Sequence, residues 1–481
     1  MRFFDLAVIL AYLAAVTWFG ASFRQRQKSL KDYFLGGRTA PWWAIALSIV
    51  SAETSTLTII GTPPLAYAGS YVFLQVIFGY LLARLVISTI FLPRYFEGQL
   101  FTAYELMQRR FGPRIRKVTS GIFLITRSLA EGVRVFAISI VVSIILHTGG
   151  LASILVIVAL TLFYTFEGGL TAVIWTDVIQ MAMYVLGAAI SFFVLLAKIP
   201  GGWPHVLDAA SAAGKFQLFD FHWSWTAPYT FWAGLIGGCF LTTASHGTDQ
   251  LVVQRLLAAK SERQARLALL SSWLVIFIQF SLFLTIGVLL WTLRSGAPVA
   301  KAQLDRLYPT FIWESLPVGI AGLAMAAILA AAMANLSAAL NSLASATVVD
   351  FYQPLTRGRH APAHYLRVSR LSTVFWGAVL AAIATLASQW GSVLESGLSI
   401  ASVTLGILLG VFLLGVLTKK PGENAAIAGV VAGAAVMAWV KFATKIPFTW
   451  WVLIGASVTF TIAILASFVL PRTACQPAET P

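Results

Sequence analysis

Long apolar runs separated by short polar and basic segments dominate this 481-residue chain. A membrane-spanning helix needs about twenty apolar residues. Runs of that kind fall near residues 3–23, 40–62, 67–95, 116–146, 150–166, 171–198, 229–250, 266–293, 312–348, 366–389, 392–418, 424–442 and 447–470. The pattern predicts an all-α polytopic membrane protein with about 13 transmembrane helices, read as one domain over 1–481. No polar stretch between the runs is long enough for a separate soluble domain.

Three runs depart from the composition of a plain anchor. The second carries Ser48, Ser51, Glu53, Thr54, Ser55, Thr56 and Thr58, followed by Gly61 and Pro63. Hydroxyl side chains compete for backbone hydrogen bonds, so this stretch is expected to unwind and free carbonyl oxygens at membrane depth. Broken helices of this kind hold the ion and substrate sites of transporters. A regular helix packing its Ser/Thr face against a neighbour is the alternative. In the seventh run, Gly234, Gly237 and Gly238 precede Thr242, Thr243 and Ser245, which suggests a second interruption or a close helix contact. The ninth run places Ser337, Asn341 and Ser345 four residues apart, on one helical face.

Composition narrows the class. Hydrophobic residues make up 59% of the chain and charged residues 11%, which excludes an ordinary soluble enzyme. A net charge of +15 would suit nucleic acid only on a polar, basic surface, and no stretch of this sequence supplies one. The charge instead reports topology. With the N-terminus outside, 22 of the 33 Lys and Arg residues fall on inner segments, 8 on outer segments and 3 within spans. That asymmetry follows the positive-inside rule and puts the tail, 471–481, in the cytoplasm. Cys239 and Cys475 lie at different depths and read as two inert thiols.

The few charges within spans are Glu53, Arg127, Glu131, Arg134 and Asp177, each a functional candidate because an unpaired charge there is costly. Arg127, Glu131 and Arg134 share one face of the fourth span and leave a residual +1, to be met by Glu53 or by an anionic substrate. Guanidinium pairs bidentately with carboxylate, so Arg134, with Arg127 second, is the candidate receptor for a substrate acid; a self-contained ion network is the alternative. Plainer readings suit Arg84 (local pairing or snorkelling), His246 (an interfacial histidine) and Asp249 with Arg255 (a pair across a loop). No nucleophile–base pair, phosphate loop or metalloprotease motif occurs, so the expectation is a non-enzyme without a cofactor.

Six segments, in order over about residues 30 to 420, resemble the sodium/solute symporters, a family that includes sodium–glucose and sodium–proline transporters. They are Asp32–Arg38 before Pro41-Trp42-Trp43, Ser51–Gly61, Gly168–Gln180, Gly247–Arg255, Leu340-Asn341-Ser342, and Leu408–Gly415 near Lys419. The resemblance implies a LeuT-type core of two inverted five-helix repeats, 40–198 and 229–418, with a leading helix at 3–23 and two trailing helices over 424–470. It implies alternating access in the plasma (inner) membrane, with a sodium ion and a small-molecule substrate as partners besides the lipid bilayer. The sodium ion falls to the backbone carbonyls of Ser51, Thr54 and Ala331. Where the family usually adds two hydroxyl side chains, this chain has Ala334 and Asn335, and Asn335 offers an amide oxygen. A second sodium, found in some members, would involve Asp177 and Ser337, with Ala338 in place of a second serine. Glu53, Ser55, Thr58, Gln75, Arg127 and Arg134 form the expected substrate set. Thr58 stands where sugar carriers have glutamine, which favours an organic acid or zwitterion over a hexose. Proton coupling in the same fold, and a solute-sensing module working with a separate kinase, are the alternative readings.

Overall fold

A computed structural model describes residues 2–22, 39–97, 107–108, 110–164, 170–356 and 359–470. Asp32–Arg38, the basic residues Arg24, Arg26, Lys28 and Lys31, the Gly168-Gly169 pair and the tail 471–481 lie outside the described residues. Among the described residues all regular structure is helical apart from one isolated bridge, Ala40 to Ala259.

The helices are α1 (Phe3–Ser22), α2 (Trp42–Glu53), α3 (Thr56–Ala68), α4 (Tyr71–Phe96), α5 (Pro113–Leu146), α6 (Gly150–Tyr164) and α7 (Leu170–Lys198). After α8 (Gly202–Ala212), which lies in the largest connection, come α9 (Gly238–Gly247), α10 (Gln250–Leu257) and α11 (Glu262–Leu293). A short α12 (Leu307–Ser315) leads to α13 (Ile320–Ala346), α14 (Pro362–Ala387), α15 (Val393–Leu417), α16 (Glu423–Ala443) and α17 (Phe448–Val469). Among the described residues nine helices are long and apolar enough to cross a membrane, and the bent pair α2–α3 makes a tenth. The remaining three apolar runs fall on shorter pieces: Phe3–Phe19, Gly150–Leu162, and the jointed α9–α10.

The packing has an internal regularity. Where α3 lies along α11, α9 lies along α4; where α2 meets α7, α9 meets α15. Likewise α5 packs on α15 as α13 packs on α7, and α5 on α6 as α13 on α14. Each pair maps onto the next by stepping five spans along the chain. Five is odd, so the second unit enters the membrane from the opposite side, and the two units are inverted relative to one another.

Buried polar side chains fasten helix ends to this frame. Asp5, fully buried in α1, accepts the backbone N–H groups of Gly319 (2.7 Å) and Gly322 (2.8 Å) at the start of α13. Glu423 at the start of α16 does the same for Arg114 and Ile115 of α5, at 2.6 and 3.1 Å. These carboxylates fill orphan donor positions at helix N-termini, where the helix dipole also favours them. At the other polarity, Lys215 after α8 donates to the carbonyls of Tyr67 (2.7 Å) and Gly69 (2.9 Å) at the end of α3. Burial lowers the Lys215 pKa from its ordinary value.

Candidate functional site

The second span is broken where the hydroxyl-rich stretch predicts it. Thr54 and Ser55 are extended (φ −85°, ψ 91° and φ −89°, ψ 174°), and α2 and α3 meet at 67°. Among the described residues no backbone N–H closes on the carbonyls of Ser51, Ala52 or Glu53 across the break, whereas Thr54 N–H still reaches Val50. The freed oxygens are the kind of ligand a hard cation takes. Thr54 Oγ1 is anchored by Gln279 of α11 at 3.2 Å, which holds the kink against the neighbouring unit.

The seventh span differs from its expected form. Gly234, Gly237 and Gly238 do not unwind; Ala233–Gly237 is a single π turn that runs straight into α9. These glycines permit backbone contact. A Cβ on Gly238 would lie 2.5 Å from the Val76 carbonyl oxygen, and one on Gly79 of α4 would lie 2.5 Å from that of Gly234. The break in this span comes after Gly247, at Thr248 and Asp249, where the Asp249 side chain caps α10 by accepting Leu251 N–H (2.8 Å).

A cavity of about 220 Å³ opens beside the first break. Glu53, Ser55 and Thr58 line it from the broken span, Arg127 and Arg134 from α5, and Asn335 from α13. Along α15 the wall runs from Leu394 to Leu408, about 20 Å at 1.5 Å per residue, so the cavity occupies much of the membrane's depth. Most of the remaining lining is apolar, with Phe73, Phe123, Phe280 and Leu398 among it, which suits a small ligand held by a few polar groups.

The ion pairs depart from the pattern expected of the sequence. Glu53 does not meet the α5 arginines; its Oε2 accepts from Arg84 Nη2 at 2.7 Å and lies 3.2 Å from His246 Nε2. Arg84 is fully buried, so it does not snorkel; it donates locally to the Tyr80 carbonyl one turn back and also to Ser272 Oγ of α11. His246 is 3% exposed and faces the cavity wall, not the membrane interface. On α5, Glu131 Oε1 contacts both Arg127 (3.1 Å) and Arg134, and Arg127 lies 3.9 Å from Asp249. Asp249 thus supplies the second negative charge that the sequence left unassigned. Arg255 pairs with Asp177 (2.8 Å) and Ser48 (2.8 Å), not with Asp249.

Of the expected cation ligands, Ser51 and Thr54 stand at the break, Ala331 is buried in α13, and Asn335 lines the cavity one turn further along. Asp177, expected at a second sodium, has its Oδ2 held by Arg255 and Ser48, and Ser337 lies outside the cavity lining. Gln75 is also outside that lining. It is fully buried and ties the π-turn region together through Tyr229 O (3.1 Å), Val72 O (3.0 Å) and Asp220 N–H (2.9 Å). Thr242 and Ser245, first noticed as part of a second break, line the cavity instead.

The sequence model of the sodium:solute symporter family matches residues 33–433. Over 98% of the chain it is 29% identical to the sodium/sialic acid symporter of Proteus mirabilis, covering 96% of that protein. It is 30% identical to the human sodium/iodide cotransporter, over 88% of this chain and 66% of that one. Among solved structures, the substrate-bound outward-open state of a Na+-coupled sialic acid symporter superposes with a TM-score of 0.83 at 27% identity, covering 98% of each chain.

Proposed function

The chain belongs to the sodium:solute symporter family, and from that premise we propose that it imports a small organic anion together with sodium. It is a membrane transporter with the LeuT-type fold and not an enzyme. One observation carries the anion assignment: two arginines of α5 line the cavity at the broken span, where most of the rest of the wall is apolar. Guanidinium in a low-dielectric site favours a carboxylate strongly, and the Glu131 and Asp249 charges lower the cost of keeping both arginines there. The named substrates of the relatives, sialic acid and iodide, are anions too.

Sodium is assigned to the α2–α3 break, with the carbonyls of Ser51, Thr54 and Ala331 and the amide oxygen of Asn335 as ligands. Asn335 lies within both the cation set and the cavity lining, so ion and substrate share a wall. Binding of one then orders a residue that the other uses, which is a physical route to coupling. The charge asymmetry along the chain supports a plasma-membrane orientation with the N-terminus outside and the C-terminus cytoplasmic.

Uptake of carboxylic acids, amino acids and sugars into proteoliposomes, with sodium and proton gradients imposed separately, tests this. Concentrative uptake of an acid that requires an inward sodium gradient is expected. Uptake that follows only the proton gradient would overturn the sodium assignment, and transport confined to uncharged sugars would overturn the anion assignment.

A further inference from the structure

Among the described residues that line the cavity, buried polar atoms of both polarities lack a hydrogen bond. On the α5 side, Arg134 Nε is buried and donates to nothing. On the broken-span side, Glu53 places both its partners, Arg84 and His246, on Oε2 and leaves Oε1 buried without a hydrogen bond. The Glu53 side chain is 10% exposed and lines the cavity. Its charge is matched by the fully buried Arg84 behind it, so the Glu53 wall does not repel an anion bound at the opposite pole. Ser55, Thr58, Thr242 and Ser245 line the cavity with it and add short hydroxyls that serve as either donor or acceptor.

A buried acceptor left unpaired is costly, and a ligand that supplies its missing donor recovers that cost. Resting on the organic-anion reading above, we propose that Glu53 is a specificity-determining residue whose Oε1 accepts an N–H or O–H donor of the substrate while the α5 arginines hold its carboxylate. The substrate is therefore an acid with a hydroxyl, amide or ammonium donor away from its carboxyl group. A plain alkanoate satisfies one pole and leaves the other unpaired. Sites built to bond a substrate hydroxyl discriminate strongly against the analogue lacking it.

The test uses the purified full-length protein in sodium-containing buffer, with affinities read from ligand-dependent thermal stabilisation. Matched probes are butanoate, 4-hydroxybutanoate and 4-aminobutanoate, and hexanoate, 6-hydroxyhexanoate and 6-aminohexanoate. In at least one series a donor-bearing acid is expected to bind about tenfold or more tighter than its plain alkanoate. The hydroxy and amino arms show which donor the site takes. Replacing the buried pair together (Glu53→Leu with Arg84→Met) removes the acceptor, keeps the wall neutral and should bring that ratio close to one. A ratio of affinities does not depend on how much protein folds, and the wild-type comparison stands alone if the variant is not recovered. Equal binding of plain and donor-bearing acids, or a ratio unchanged in the variant, overturns the role of Glu53 and leaves the anion reading intact. If no acid of either kind binds, both fall.

Discussion

Arg134 and Asp305 show how a side chain's surroundings decide its chemistry. Arg134 shares Glu131 with Arg127 and still presents a buried, unbonded Nε. Lysine keeps the charge but loses the planar fork, so Arg134→Lys should weaken apparent affinity for an anionic substrate about tenfold or more, with the sodium dependence little changed. Radiolabelled uptake checks this, and unchanged affinity would sink the carboxylate role. Asp305, in the connection before α12, caps Val393 of α15 (3.1 Å) while its Oδ1 is buried and unbonded. Burial, with the nearby Glu395 charge, pushes its carboxyl up to about 6. A raised pKa means the folded state prefers the protonated form. The contribution of Asp305 to stability is present below about pH 4 and is lost as pH rises through about 6. Asp305→Asn should therefore melt higher than wild type near about pH 7.5, by about 1–3 kcal/mol, with the gap closing by about pH 4. A gap that does not change with pH would refute this account. At this scale the sequence was legible where partners lie on one helix: spacings of three and four residues brought Arg127, Glu131 and Arg134 together. It was silent on the Glu53 triad, whose members lie 31 and 193 residues apart on separate helices.

At the level of elements, two kinds of helix-weakening residue served opposite ends in two spans. At Ser51–Thr58 the helix is broken, with Ser55 making no side-chain cap to α3 and Thr54 Oγ1 bonding Gln279 of the neighbouring helix. Glycine crowding at Gly234–Gly238 kept its helix and let α4 press against it, backbone to backbone. Composition alone does not separate the two uses, since glycine lowers helix propensity and also permits close approach. Only the partner surface decides, and that surface comes from a helix about 160 residues earlier in the chain. Gly238→Val should therefore be destabilising by about 1–3 kcal/mol through overpacking against Val76, whereas Gly150→Val, which would meet nothing within 4 Å, serves as the control. Melting in detergent measures both. Equal melting of the two variants would count against the packing role.

For the whole molecule, the legible part was the order and spacing of apolar runs, because a bilayer imposes a length on every crossing. The inverted pairing of the two five-span units was not visible in periodicity. It came from the family resemblance, and the matching packing of α3 on α11 and α9 on α4 agrees with it. Orientation is open to direct measurement. In a background with Cys239 and Cys475 replaced by alanine, Ala213→Cys should react with an impermeant thiol reagent from outside, and Lys260→Cys only after the inner face is exposed. Both positions are exposed on the described surface. The reverse labelling pattern would invert the topology.

Asp5 adds a dimension of time. The amides it holds belong to Gly319 and Gly322, which are made more than 300 positions after it. On a ribosome adding roughly 5–20 residues per second, its carboxylate waits on the order of 15–60 s for them. During that interval α1 sits in the bilayer without its permanent neighbour, and the helices made in between must assemble around an open seat. A helix made early is thus locked late, and the seat of α1 closes only once the start of α13 has been added.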